Sequence, residues 1–352
     1  MKKKQWEIIK KCADMQPVDP LPVSLIIDSP WMPGYLGISM IDYYTIPDVW
    51  LDANLKVESD FPEIIFLPGF WAEVGMCAEP SGFGCRTRLF HDRTPMVYPV
   101  IQKMEEVDRL SLPNPLSDGF MPLMLNLYQN LEIRVNDAGH TIKVVAARGP
   151  MATAAHIIGV TEFLIGLKTN PKEAHRLMRL ATDIAKNWVE AQASVLQEVE
   201  GILLLDDIVG FLGERDFLEF GHPYFTEIFS AFPEAVKLFH NDMDNPTSFK
   251  YLREWSINIF NFSHKIDLAT ARELVGPDIC LMGNVPPLEV LVSGSPEDVR
   301  DAAKACIQKH LQTGLLLSAG GGTSPGTPGE NIRALGDAAR DYSFYLGKEK
   351  LE

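Results

Sequence analysis

Polar residues able to do chemistry collect at the C-terminal ends of short apolar runs in this 352-residue chain. GILLLDD (201–207) ends in Asp206 and Asp207, and AVKLFH (235–240) ends in His240 and runs on into Asn241 and Asp242. INIFNF (257–262) leads to Ser263 and His264, DICLMGN (278–284) closes on Asn284, IKVVAA (142–147) meets Arg148, and PVSLIID (22–28) stops at Asp28. An imidazole and carboxylates on successive strand ends offer the nitrogen and oxygen donors that Zn²⁺ accepts. The same acids equally serve as loop caps and the histidine as a hydrogen-bond partner. Glu219 in RDFLEFGHPYF stands near a helix start, where a carboxylate also favours the helix dipole. Glu73 and Glu79 in WAEVGMCAEP are either pocket acids or solvated loop residues. The glycine run in SAGGGTSPGTPGENI (318–332) lacks the Lys and spacing of a phosphate cradle and instead suits close approach of a large planar group.

The elements that would hold these residues follow from periodicity. The six runs above, with EIIFLPG (63–69) and GLLLSAG (314–320), make eight candidate strands apolar on both faces, separated by helical patterns. The clearest helix spans 171–199, with Asn170 as cap and Pro171 at its first position; others span 295–312, after Ser295, and from about Pro328 onward. Doubly buried strands alternating with helices imply a parallel sheet, and eight of them favour a (β/α)8 barrel over a doubly wound open sheet. Functional groups then gather on one face, where strands end and loops begin. The sequence predicts one barrel domain over 1–352 with additional N-terminal helices. The Gly-, Pro- and aromatic-rich stretch 70–140 reads as a long active-site loop.

Composition removes several function classes. A formal charge of −15 repels nucleic acid. No leader or 18-residue apolar run is evident, so the expectation is a cytoplasmic protein without a membrane segment. Five scattered cysteines without a CxxC pair argue for free thiols rather than disulfides or a metal knuckle.

The segments RGPMATAAHIIG (148–159), LLLDDIVGFLGERDFLEFGHPY (203–224), KLFHND (237–242), LMGNVPPLEVLVSGSPEDV (281–299) and SPGTPGENIRAL (324–335) resemble, in this order, the uroporphyrinogen decarboxylase superfamily. The form of GPMATAAH and GNVPP is similar to its corrinoid-linked methyltransferase branch. The decarboxylases carry an arginine-rich segment near the first strand to hold substrate carboxylates, and PVSLIIDSPWMPGYLG has no arginine. The resemblance implies Zn²⁺ held in a barrel and a corrinoid carried by a partner protein. The methyltransferases bind zinc through a His-x-Cys pair and a later loop cysteine; here these positions read His240-Asn241-Asp242 and Gly321, so thiolates are lost. Relatives that demethylate aryl methyl ethers are thought to use two glutamates and a histidine, which points to Glu219 with His240. Leu204 stands at the other glutamate position, leaving Asp206 or Asp207 to substitute. The ligand set implied is His240, Asp206, Asp207 and Glu219, with His240, Asp207 and Asn284 as catalytic residues. Trp31, Trp71, Glu73, Phe83, Arg148 and His264 would line the substrate pocket, with Phe70 as a further apolar wall. The activity implied is methyl transfer from a small methylated substrate, a methoxylated aromatic first, to Co(I). The alternatives are a uroporphyrinogen-type decarboxylase, a methylcobalamin:coenzyme M methyltransferase, or a non-enzymatic corrinoid- or porphyrin-binding protein. The sequence leaves monomer or homodimer open.

Overall fold

The computed structural model describes residues 1–27, 30–309 and 314–349. Its strands are β1 Val23–Ile26, β2 Ile64–Leu67, β3 Arg86–Arg88, β4 Met96–Tyr98, β5 Val144–Arg148, β6 Gly201–Leu205, β7 Val236–Asn241, β8 Ile259–Phe262, β9 Cys280–Val285 and β10 Leu315–Ala319. All eight expected runs form strands, one to three residues shorter or shifted at their ends. Asp28 lies outside the described residues.

Eight strands make one parallel sheet in the order β2-β1-β10-β9-β8-β7-β6-β5. That order follows the chain around without the reversal a doubly wound sheet requires, so the fold is a (β/α)8 barrel. The two edge strands face each other across a seam filled by the chain's first residues. There Gln5 Nε2 donates to Ile64 O (3.0 Å) on β2, and Thr141 N, just before β5, donates to Met1 O (2.7 Å).

Alternate residues point inward, as the two-residue strand period demands. Val144, Ala146, Leu203, Leu205, Leu238, Ile259, Met282 and Leu316 form an inner core with Trp6, Ile9 and Cys12 of the helix Lys3–Ala13. That helix plugs the N-terminal end of the barrel. Gly201 makes room for it, since a Cβ there would lie 3.0 Å from the Trp6 ring. Among the described residues apolar side chains fill this end, which directs the search for chemistry to the C-terminal mouth. Among the described residues no single helix is long and apolar enough to cross a membrane.

The region 70–140 is more regular than its composition suggested. Met121–Asp137 is a helix burying Met121, Met124, Leu125, Tyr128, Leu131 and Val135 at three- and four-residue spacing, a pattern masked by the Gly- and Pro-rich segments before it. Antiparallel β3 and β4 form a hairpin whose Arg86 lies over the Tyr98 ring at 4.3 Å. The helices at 171 and 296 start where expected. At the second, Asp298 accepts from Ser295 N at 2.8 Å and returns its own N–H to Ser295 Oγ at 3.3 Å. Residues 310–312 of the expected helix lie outside the described residues.

Candidate metal centre

Strand alternation selects which end residues meet. Leu203 and Leu205 point inward on β6, so Asp207 continues the inner row and Asp206 the outer one. On β7 the inner row is Leu238, His240, then Asp242; on β8 it is Ile259, then Asn261. The pairing register puts Leu205 beside His240 and His240 beside Asn261. One ligand atom each from Asp207, His240 and Asp242 lie within 4.8 Å of one another. His240 Nε2 is 3.5 Å from Asp207 Oδ1, which also accepts the Asp242 backbone N–H at 3.0 Å. His240 is buried at the floor of this group and Asp242 stands at its solvent rim. Loss of water in the mouth, and next the Asp207 carboxylate alongside, push the Asp242 carboxyl above its usual range, while His240 pulls it back. Two carboxylates this close repel each other, and a divalent cation would cancel that repulsion.

The loop after β10 approaches the same group from the other side. A Cβ on Gly321 would lie 3.1 Å from Asp242 Oδ2, and this residue sits at φ +131°, a conformation that favours glycine. Gly321 is therefore at the cluster, but contributes no donor. One imidazole nitrogen and two carboxylates with an open side match a catalytic rather than a closed structural zinc site.

The other expected residues divide into those the mouth gathers and those it does not. Arg148 ends β5 in the layer of Leu205, its guanidinium 5.2 Å over the Trp71 ring and its Nη2 3.9 Å from Glu73 Oε2, so Trp71, Glu73 and Arg148 form one buried group. Glu79, fully buried, accepts the Arg148 backbone N–H at 2.8 Å, and burial raises its carboxyl above the ordinary range. His264 packs its backbone against Gly320, with its Nε2 3.8 Å from Glu289 Oε2 at the rim.

Six placements correct the sequence expectations. Asp206 faces outward; its carboxylate accepts from Met151 N (2.9 Å), Ala152 N (3.1 Å) and Ile208 N (3.1 Å), which fills its oxygens with helix-capping bonds rather than a metal. Glu219 lies on the short helix Glu214–Phe220, 44% exposed, its Oε1 3.9 Å from His175 Nε2, outside the Asp207–His240–Asp242 group. Asn284 spends its amide N–H on Ile266 O (2.7 Å) and takes a weak bond from Cys306 Sγ on the helix Pro296–Lys309, which directs it to the helix layer. Trp31 is core: it stacks on Tyr35 at 4.8 Å and its indole donates to Thr327 O. Phe83 and Phe70 likewise belong to the outer core. Glu219→Gln is accordingly expected to leave the parent's metal content and turnover unchanged within about twofold, as for an exposed residue; elemental analysis and initial rates check this. Burial raises the Cys77 and Cys85 thiols to about 11, and neither belongs to the Asp207–His240–Asp242 group.

The sequence does not assign two of the site residues as such. Asp242 is visible there as a polar strand-end residue and as a lost cysteine but not as a ligand, although alternation from His240 places it on the same face. Asn261 was one polar residue inside INIFNF, a signal that became meaningful only with β7 and β8 in register.

Comparison with known proteins agrees with the fold. Residues 7–342 match the family described as Uroporphyrinogen decarboxylase (URO-D). A methylated-thiol–coenzyme M methyltransferase of Methanosarcina mazei is 25% identical over 253 residues, spanning 71% of this chain and 66% of that protein. The methylcobamide:CoM methyltransferase MtbA of Methanosarcina acetivorans is 25% identical over 76% of this chain and 78% of its own length. A uroporphyrinogen decarboxylase of Nostoc punctiforme is 23% identical over 87% and 86%. The solved structure of a methyltransferase from Methanosarcina mazei superposes with a TM-score of 0.79 at 20% identity, over 96% of this chain and 98% of that one, which establishes the common fold. A barrel in this strand order and a family match across nearly its whole length lead to one conclusion: the chain belongs to the uroporphyrinogen decarboxylase family.

Proposed function

We propose that this protein is a zinc-dependent methyltransferase that moves a methyl group from a small methylated substrate, a methoxylated aromatic in the first instance, to the Co(I) corrinoid of a partner protein. The observation that carries the reading is the Asp207–His240–Asp242 cluster at the C-terminal mouth of the barrel, opposite the end plugged by the helix Lys3–Ala13. Asp207, His240 Nε2 and Asp242 would hold the metal, and the bare backbone at Gly321 leaves a side of the cluster for substrate. Zinc bound there would act as a Lewis acid on the oxygen that loses its methyl group, stabilising the developing phenolate. Carboxylate donors release less electron density to the metal than thiolates do, so this set favours polarising an ether over activating a thiol. Trp71 supplies an aromatic surface beside the site, held by Arg148, which Glu73 and the Gly75 carbonyl restrain in turn. The corrinoid comes to the mouth on its own protein, as the names of two relatives, both methyltransferases and one acting on methylcobamide, support.

A decarboxylase acting on a polycarboxylate tetrapyrrole is the weaker reading. Asp207, Asp242 and Glu73 at the mouth repel such a substrate, and Arg148 is already engaged with Glu73.

The test is elemental analysis of the purified protein, followed by incubation with 2-methoxyphenol and chemically reduced cob(I)alamin as acceptor. One zinc per chain and conversion of the Co(I) absorbance to that of methylcobalamin are expected. Absence of zinc together with decarboxylation of a porphyrinogen would overturn the proposal.

A further inference from the structure

Asn261 sits on β8 directly under the cluster, 1% exposed, and its amide reaches three strands at once. Its Nδ2 donates to Met282 O on β9 at 2.9 Å and to Ala319 O on β10 at 3.1 Å, while its Oδ1 lies 2.6 Å from His240 Nδ1 on β7. Carbonyl oxygens only accept, so both amide hydrogens must point at them, and the orientation of the amide is set by the strands rather than by choice. The oxygen that remains can only accept from His240. Nδ1 must therefore carry a hydrogen, and in a neutral imidazole Nε2 is then the bare nitrogen, on the side of Asp207 and Asp242.

We infer that Asn261 is a positioning residue that locks His240 in the Nδ1–H tautomer and aims its Nε2 lone pair into the Asp207–Asp242 group. The amide touches neither carboxylate of the cluster and acts through the imidazole. An outer partner of this kind orients a metal-binding histidine and raises its basicity. The barrel closes the arrangement: β7, β8, β9 and β10 are adjacent in the sheet, so a single side chain ties the ligand to three neighbouring strands. The loop from Ala319 to Gly321 starts at one of these carbonyls, which links the position of His240 to that of the loop opposite Asp242.

The tautomer is directly readable. Long-range ¹H–¹⁵N correlation of histidine-labelled, metal-free protein at alkaline pH, with His240 assigned by its disappearance in His240→Ala, should show Nδ1 protonated and Nε2 bare. In Asn261→Leu, which keeps the branched heavy-atom shape and removes the amide oxygen, that pattern should give way to a mixture of tautomers. Zinc affinity, measured by competition with a chromophoric chelator, should fall 10- to 100-fold. A wild-type His240 protonated at Nε2, or an Asn261→Leu protein retaining both the tautomer and parent zinc affinity, would overturn the inference. Where Asn261→Leu does not fold, the wild-type spectrum decides alone. The affinity arm rests on the metal reading above, but the tautomer arm does not. A chain that binds no zinc yet shows the Nδ1–H form, lost in Asn261→Leu, keeps this inference and removes the metal.

Discussion

His240→Ala is expected to strip zinc from the purified protein and abolish methyl transfer while the barrel stays folded. His240 is the one nitrogen donor in the cluster and lies at its floor, so its loss leaves two carboxylates from neighbouring strands with no third donor to hold the metal between them. Losing an outer partner of a metal ligand costs about 10- to 100-fold in affinity, and losing the ligand itself should exceed that. The fold should lose less. The substitution empties a buried site and leaves Asn261 Oδ1 without its donor, at about 1–3 kcal/mol for an unsatisfied acceptor in addition to the cavity. Urea unfolding followed by circular dichroism would register this as a moderate shift of one cooperative transition. Turnover persisting in a folded, zinc-free His240→Ala protein would sink the metal mechanism and return attention to metal-free chemistry at Arg148, Glu73 and Trp71.

The sequence made the eight strands plain because each is a continuous apolar run with a polar end, and a parallel barrel needs that pattern on every strand. The same pattern hid which end residue faces the pore. GILLLDD is apolar at every position before its acids, so nothing local distinguishes the inner row of Leu203 and Leu205 from the outer row of Ile202 and Leu204, and Asp206 and Asp207 look alike. Only the inner core, with Trp6 among its members, fixes the parity. His240 stands out because the polar tract His240-Asn241-Asp242 follows its apolar run at once. Glu219 drew attention through its distance along the chain from His240, a spacing that carries no information about direction; the helix Glu214–Phe220 points it toward His175 instead. Residue type alone points to Trp31 and Phe83, yet buried aromatics are more often packing than pocket, and both lie in the outer core.

Asp206 provides the sharpest contrast between an acid used for chemistry and one used for architecture. Its carboxylate receives the N–H groups of Met151 and Ala152 at the start of the helix Pro150–Ile158 and of Ile208 in the turn after β6. It does so across Gly149, where any Cβ would collide with the Asp206 side chain. Asp206→Ala should therefore destabilise the protein by about 3 kcal/mol, since three N–H groups lose their acceptor at about 1–3 kcal/mol each and relief of a buried charge offsets part of that. Zinc binding should change little, in opposition to His240→Ala, so the two variants separate scaffold from site in paired unfolding and metal analyses. Burial first, with the Asp207 charge adding to it, raises the Asp206 carboxyl from its ordinary 3.8 to about 7 in the folded protein, against the pull of the backbone N–H groups. The folded state thus holds the proton more tightly than the unfolded chain. The stability this provides is complete below about pH 4 and is lost progressively as pH rises to about 7. Asp206→Asn lacks the ionisation, so in metal-free protein its deficit relative to the parent should be larger at pH 5 than at pH 8. Equal deficits at the two values would show that Asp206 is ionised in the folded protein throughout this range, its three N–H donors outweighing the cost of burying the charge.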